Sequence, residues 1–313
     1  MRAFYADDMS TSLSTPRAGA ASVPAAYLGV ILIWATTPLA TKWSGDGPGA
    51  LFGVSSRMCL GLLCVLVVLK LRHIKFPHSP RAWLHYGAGA ISIYGSMSLS
   101  YWAAQQIPSG WMSVIFGLSP LLTAILARLI LGEHTLTPRK LAAQALSLVG
   151  LWLIYGSATQ LGPQAVLGIG ALLLAAVLHC LSAVLIKRIN LPIPAVASVA
   201  GSLLLAVPAY LVTWWAVDGV WPVNLPWRSV GAIVYLGVVA TTVGLSWYFY
   251  VLKHLSATRV AMIMFVTPVL ALLLGYGFNA EPLTARIAAG TACILGGLLA
   301  HELGARRLRP PVA

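Results

Sequence analysis

Two ionisable side chains, Arg57 and His179, fall inside long apolar stretches of the chain, and stripes of hydroxyls and aromatics accompany them. Tyr94, Ser98, Tyr101 and Trp102 recur at i, i+4, i+7 and i+8, a spacing that puts them on one face of a helix. At a constant offset of 148 residues the same positions hold Thr242, Ser246, Phe249 and Tyr250. Such a mixture suits binding, because small-molecule recesses are mostly apolar with a few polar groups that set orientation. Catalysis fits less well. Metal-assisted chemistry needs His or acidic clusters at ligand spacing, and the sequence has none. A Gly-x4-Gly-Lys-Ser/Thr phosphate loop is absent too, so neither cofactor nor metal is implied.

A histidine's ordinary titration range lies near neutral pH, so His179 is a candidate for coupling a process to protons; the competing role is that of a neutral, hydrogen-bonded packing residue. Arg57 lies in the outer part of its helix. A structural or snorkelling role is expected there, with contact to an anionic substrate group as the alternative. The acidic residues are Asp7, Asp8, Asp46, Glu133, Asp218, Glu281 and Glu302, and none falls at mid-membrane depth. A buried counter-charge for organic cations is therefore missing. Neutral or zwitterionic ligands fit better.

The elements that must position these groups carry proline. Ser113 and Phe116 precede Pro120, and Met264 and Phe265 precede Pro268, again 148 residues apart; Glu133 and Glu281 follow at the same offset. An internal proline removes a ladder hydrogen bond, which lipid tolerates only where protein or a cavity satisfies the freed groups. Paired interruptions in two halves point to the binding region of a carrier. Helix kinks are expected at Pro38, Pro120 and Pro268, with carbonyls near Phe116 and Met264 left open. Trp34 and Thr37 in the first helix, and His179 and Ser182 in the sixth, complete the expected lining of a substrate cavity.

The chain is 59% hydrophobic and only 9% charged, against about 25% charged residues in soluble domains. Ten apolar windows are long enough to span a bilayer: 25–43, 51–71, 82–105, 109–131, 138–155, 165–186, 194–217, 229–252, 257–279 and 284–303. Placing the N-terminus inside puts fifteen of the twenty lysines and arginines on the cytoplasmic side and three outside, with two inside helices. The net charge of +13 is then a topology signal and not a nucleic-acid footprint. The four cysteines all lie in apolar runs and suggest neither disulfides nor metal. An odd number of helices per half makes the second half upside down relative to the first. The expected fold is an all-α membrane protein of ten transmembrane helices, a five-plus-five inverted-topology repeat around a central cavity. Residues 1–24 read as a disordered cytoplasmic tail, 25–156 and 165–303 as the two repeats, and 304–313 as a basic cytoplasmic tail. The expected partners are a small-molecule substrate and the lipid bilayer, with no nucleic acid, and the chain as monomer or homodimer.

Several of these residues resemble the ten-helix EamA-type branch of the drug/metabolite transporter superfamily. They are Leu32-Ile-Trp-Ala-Thr-Thr-Pro38, Ser55-Ser-Arg57, Tyr101-Trp-Ala-Ala104, Ser119-Pro-Leu-Leu-Thr-Ala124, Leu131-Gly-Glu133, Thr267-Pro268 and Glu281-Pro282. The resemblance covers nearly all of the chain after the tail. It implies a cavity lined by helices 1, 3, 4, 6, 8 and 9, and a secondary carrier, an exporter of small neutral or zwitterionic metabolites such as amino acids, in a bacterial-type inner (plasma) membrane with both termini cytoplasmic. Relatives that carry sugar phosphates or nucleotide conjugates supply the alternative, which would want two or three cavity cations. Membrane-embedded enzymes rank last. His179-Cys180 departs from the family, which commonly has a Trp-Ala pair there.

Overall fold

The computed structural model describes residues 23–132, 138–244, 247, 248, 251 and 263–306, with side chains described at all of these except 138–141, 143, 144, 157–161, 264, 265 and 301–306. Among the described residues there are ten helices and no strand. They are α1 (Val23–Gly45), α2 (Ala50–Leu71), α3 (Pro80–Gln106), α4 (Ser109–Leu131), α5 (Pro138–Leu161), α6 (Pro163–Ile189), α7 (Ala195–Val217), α8 (Trp227–Gly244), α9 (Ile263–Asn279) and α10 (Ala285–Arg306). The start expected for the ninth helix (257–262), and residues 245, 246, 249, 250 and 252 of the expected eighth, lie outside the described residues.

Local chemistry explains the limits of several helices. Ser79 caps α3 by accepting from the amide of Ala82 at 3.2 Å, and Pro80 occupies the first turn, where a missing N–H costs nothing. Left-handed residues end α4 at Gly132 (φ 70°) and α6 at Asn190 (φ 48°). Length then decides which solvent suits them. The 22 residues of α2 rise about 33 Å at 1.5 Å each, close to the ~30 Å of a bilayer core. Six of the helices are long and apolar enough to cross a membrane. Leu129, Trp152 and Trp215 are each more than 70% exposed, a surface suited to lipid rather than to water.

Without a hydrophobic force between helices in lipid, close packing depends on small residues. A Cβ added to Gly150 of α5 would collide with the carbonyl of Gly290 in α10, and one added to Gly290 would lie 2.8 Å from the carbonyl of Gly150. Gly110 brings α4 equally close to the backbone of Leu272 in α9. Further contacts join α2 to α7, α1 to α9, and α3 to α6.

Two helices change pitch midway. A π-helical segment occupies Ile91–Ser96 in α3 and Tyr235–Gly244 in α8. These segments hold Tyr94 and Thr242, the residues matched at the 148-residue offset. The threonines of the second segment bond back five residues, Thr241 to Leu236 at 2.9 Å and Thr242 to Gly237 at 3.5 Å. The even 3.6-residue period assumed from sequence does not hold across either segment.

Helix ends meet in identifiable groups. At one end, Lys42 of α1 donates to the carbonyl of Ile107 after α3 at 2.9 Å, and Ser109 of α4 donates to Glu281 after α9 at 2.9 Å. Ser229 in α8 donates to Asp46 after α1 at 2.5 Å, and Gly168 near the start of α6 abuts Gln106 and Ile107. Elsewhere, His85 in α3 bonds Ser198 in α7 at 2.8 Å, and Tyr86 donates to Pro77 at 2.9 Å.

Candidate functional site

Four helices of the first half enclose a pocket of about 160 Å³. It is lined by Trp34, Thr37, Pro38 and Thr41 of α1, Arg57 of α2, Met97 and Ser100 of α3, and Met112, Ser113 and Phe116 of α4. The α1 contribution follows from spacing, since positions 34, 37, 38 and 41 fall on one helical face. Trp34 packs against Tyr248 with ring centroids 4.9 Å apart and the planes tilted by 34°. Thr37 donates to the carbonyl of Ile33 at 2.6 Å. Pro38 lies within α1 and Pro268 within α9, and both helices continue through the proline.

Pro120 behaves differently. Its helix breaks at Gly117–Leu118 and restarts at Ser119, so Pro120 occupies the first turn of a new segment. The carbonyl of Phe116, four residues before the proline, was expected to be open. Instead the hydroxyl of Ser119 donates to it at 2.6 Å. The local serine satisfies the carbonyl that the proline orphans.

Among the described residues Arg57 is the one charged residue that lines the pocket, and it is only 5% exposed. Snorkelling is therefore the wrong reading: its guanidinium stays inside the bundle, because α3 places Tyr101 beside it. The phenol accepts from Nη1 at 3.3 Å, and the guanidinium carbon lies 5.9 Å from the ring centroid. Nε is buried without a hydrogen-bond partner. Among the described residues no carboxylate lies within 4.0 Å of Arg57; the ion pair found is Lys42–Glu281.

The other expected residues separate into groups. His179 adjoins the pocket: its Nδ1 is 2.9 Å from the Ser92 hydroxyl, and its ring stands edge-on to Phe116 at 5.9 Å. Tyr94 turns toward α7, where its hydroxyl is 2.6 Å from that of Thr213 and its ring meets Tyr210 at 5.0 Å. Ser98 donates to the carbonyl of Tyr94 at 2.6 Å, and Trp102 is 41% exposed; neither lines the pocket. Tyr94 lies in the π-helical segment, where a 3.6-residue period no longer relates it to Met97 and Ser100. Ser182 is buried within α6, and Thr242 sits in the π segment of α8, both outside the pocket lining. Ser246 and Tyr250, and the side chains of Met264 and Phe265, lie outside the described residues. Sequence reasoning missed Thr41, Met97, Ser100 and Met112. Thr41 was within reach, being one turn beyond Thr37.

Long lipid-suited helices, close glycine contacts and an interior pocket define a multi-pass membrane protein. The chain belongs to the EamA-like transporter family, which matches residues 23–156 and again 166–300. It is a membrane transporter, and its partners are the bilayer and a small-molecule substrate. Among curated relatives it is 26% identical to an uncharacterised transporter of Archaeoglobus fulgidus over 86% of this chain and 94% of the relative. It is 23% identical to a probable terminal-alkyne amino-acid exporter of Streptantibioticus cattleyicolor, over 88% of this chain and 93% of that one. An uncharacterised transporter of Bacillus subtilis, YoaV, is 24% identical over 87% and 93%. A solved crystal structure matches the fold with a TM-score of 0.62 at 24% identity, over 92% of this chain and 99% of its own.

Proposed function

We propose that this transporter is a secondary carrier that exports small neutral or zwitterionic metabolites such as amino acids by alternating access. In this reading residues 25–156 and 165–303 form two five-helix repeats of inverted topology around a central cavity. Both termini are cytoplasmic, in a bacterial-type inner membrane. The helix ends support the inversion: α1 finishes at the end of the bundle where α6 begins, so the two halves start from opposite ends. The π-helical segments at corresponding places in α3 and α8 support it as well.

The observation that carries the substrate class is the pocket itself. At about 160 Å³ it is smaller than the ~300–1,000 Å³ that drug-sized ligands occupy. Its aromatic faces, Trp34 and Phe116, and its hydroxyls, on Thr37, Thr41, Ser100 and Ser113, suit a compact, partly apolar solute. A sugar phosphate or nucleotide conjugate would want more room and several cations, whereas among the described residues Arg57 is the single cation of the lining. The amino-acid exporter among the relatives favours the same class.

Counterflow in proteoliposomes tests this. Vesicles are preloaded with unlabelled amino acids, and uptake of labelled phenylalanine is followed against protein-free vesicles. Accelerated uptake with some preloads is expected, and the order of effective preloads ranks the cargo. No acceleration with any preload removes amino acids from the reading.

A further inference from the structure

Resting on the carrier reading above, we propose that Arg57 is the receptor for a carboxylate, so that an acid group, and not an amine, is what the pocket requires of its cargo. A guanidinium presents five N–H donors and cannot shed its proton inside a protein. Arg57 is 95% out of solvent, yet the bonds around it fall short of that inventory. One donor reaches the Tyr101 phenol at a long 3.3 Å, and Nε, fully buried, reaches nothing. Burying an ion is costly unless a counter-charge and hydrogen bonds compensate it. The described residues place no carboxylate within 4.0 Å of it, and the buried acid, Glu281, is taken by Lys42, Ser109, Gly110 and Asn279.

The cation also has somewhere to act. Its side chain forms part of the wall of a pocket otherwise lined by neutral groups, among them the hydroxyls of Thr37, Ser100 and Ser113. A carboxylate matches the planar fork of guanidinium with two parallel bonds and restores neutrality in the same step. Since no acid lines the pocket among the described residues, an ammonium group finds hydroxyls and the Trp34 face there. The amine of an amino acid is thus tolerated, while the acid is required. Among the described residues the lining comes from α1–α4.

A substrate series built on one skeleton tests this on the full-length protein. Phenylalanine, 3-phenylpropionate, phenethylamine and phenylalanine methyl ester share the aromatic group and differ in charge. Each competes against labelled phenylalanine in counterflow, and each is also added to detergent-purified protein in a thermal-unfolding assay, which reads binding without transport. The two acids should compete and stabilise at concentrations at least about tenfold below those of the amine and the ester, the scale of a lost charge-assisted bond. Chloride at the same concentration should do neither; equal stabilisation by chloride would make the site a general anion site and overturn the carboxylate assignment. Arg57→Gln should bring the acid-to-amine ratio close to one, and Arg57→Lys should keep part of it. If Arg57→Gln does not fold, the wild-type series alone decides. Counterflow without acid preference sinks the role of Arg57 and leaves the carrier standing. Acid-selective stabilisation without counterflow does the reverse. No stabilisation by either acid also overturns the proposal.

Discussion

Arg57 and Glu281 are both charged groups withdrawn from solvent, 5% and 8% exposed, and the fold provides for them in opposite ways. Glu281 is surrounded. Lys42 sits 3.6 Å from one carboxylate oxygen, which also accepts from Asn279 at 3.0 Å. The other accepts from Ser109 at 2.9 Å and from the amide of Gly110 at 3.4 Å, at the start of α4, where the helix dipole favours an anion. Asn279 in turn bonds Trp43 and Arg228, and Arg228 lies 3.8 Å over the Trp43 ring. The result ties α1, the α3–α4 turn, α8 and α9 together at one end of the bundle. Arg57 receives one phenol and faces a pocket. A charge that is fully satisfied by its own chain belongs to the architecture, whereas one left short is available to something from outside.

Removing each charge sharpens this contrast, and the largest effect on stability is expected at Glu281. Glu281→Ala leaves Lys42, Ser109 and Asn279 without their acceptor. Breaking a fully buried pair costs about 3–5 kcal/mol; Lys42 keeps a quarter of its surface open, so about 2–3 kcal/mol is expected. Thermal or denaturant unfolding in detergent measures it. Arg57→Met should move unfolding by no more than about 1 kcal/mol in either direction, since an apolar replacement of similar length removes an uncompensated ion. Its counterflow should nevertheless collapse. If Arg57→Met proves as destabilising as Glu281→Ala, both charges are architectural and the contrast fails.

The two tryptophans expected in the cavity give the next comparison. Trp34 forms a wall of the pocket and packs against Tyr248, whereas Trp102 is 41% exposed and takes no part in the described lining. Trp34→Ala should slow counterflow by about tenfold, equivalent to ~1.4 kcal/mol of lost binding, while Trp102→Ala should leave it within about twofold. Similar losses in both would return Trp102 to the site.

How far the sequence reached follows from what each inference needed. The ten helices were legible because a bilayer demands about 20 apolar residues at a stretch, a constraint read locally, and six of them are long and apolar enough to cross one. Trp34, Thr37, Ser113 and Phe116 were legible as pocket residues because each lies near a helix-disturbing proline or glycine. Whether Arg57 turns inward or toward the interface was not, since a long side chain near a helix end can do either and the choice is made by Tyr101, 44 residues away. The meeting of Lys42 with Glu281, 239 residues apart, was equally out of reach. Tyr94 was assigned to the wrong surface for a physical reason: a 3.6-residue period was carried across six π-helical residues.

Tyr94 supplies the smallest and most discriminating case. Its hydroxyl lies 2.6 Å from Thr213 on α7, and its own carbonyl accepts from Ser98 and from Tyr210. These bonds fasten the π-helical segment to α7, so the phenolic oxygen contributes to helix packing rather than to the pocket. Hydrogen bonds between membrane helices average about 0.6 kcal/mol and rarely exceed ~1.7. Tyr94→Phe, which keeps the ring against Tyr210, should lower unfolding stability by roughly that average while counterflow and its acid preference stay unchanged. Thr213→Val should cost a similar amount, and the double variant should cost less than the sum of the two, because both remove one shared bond. A loss of transport in Tyr94→Phe without loss of stability would instead place that hydroxyl on the substrate path, and the boundary drawn between the packing face and the binding face of α3 would have to move by one turn.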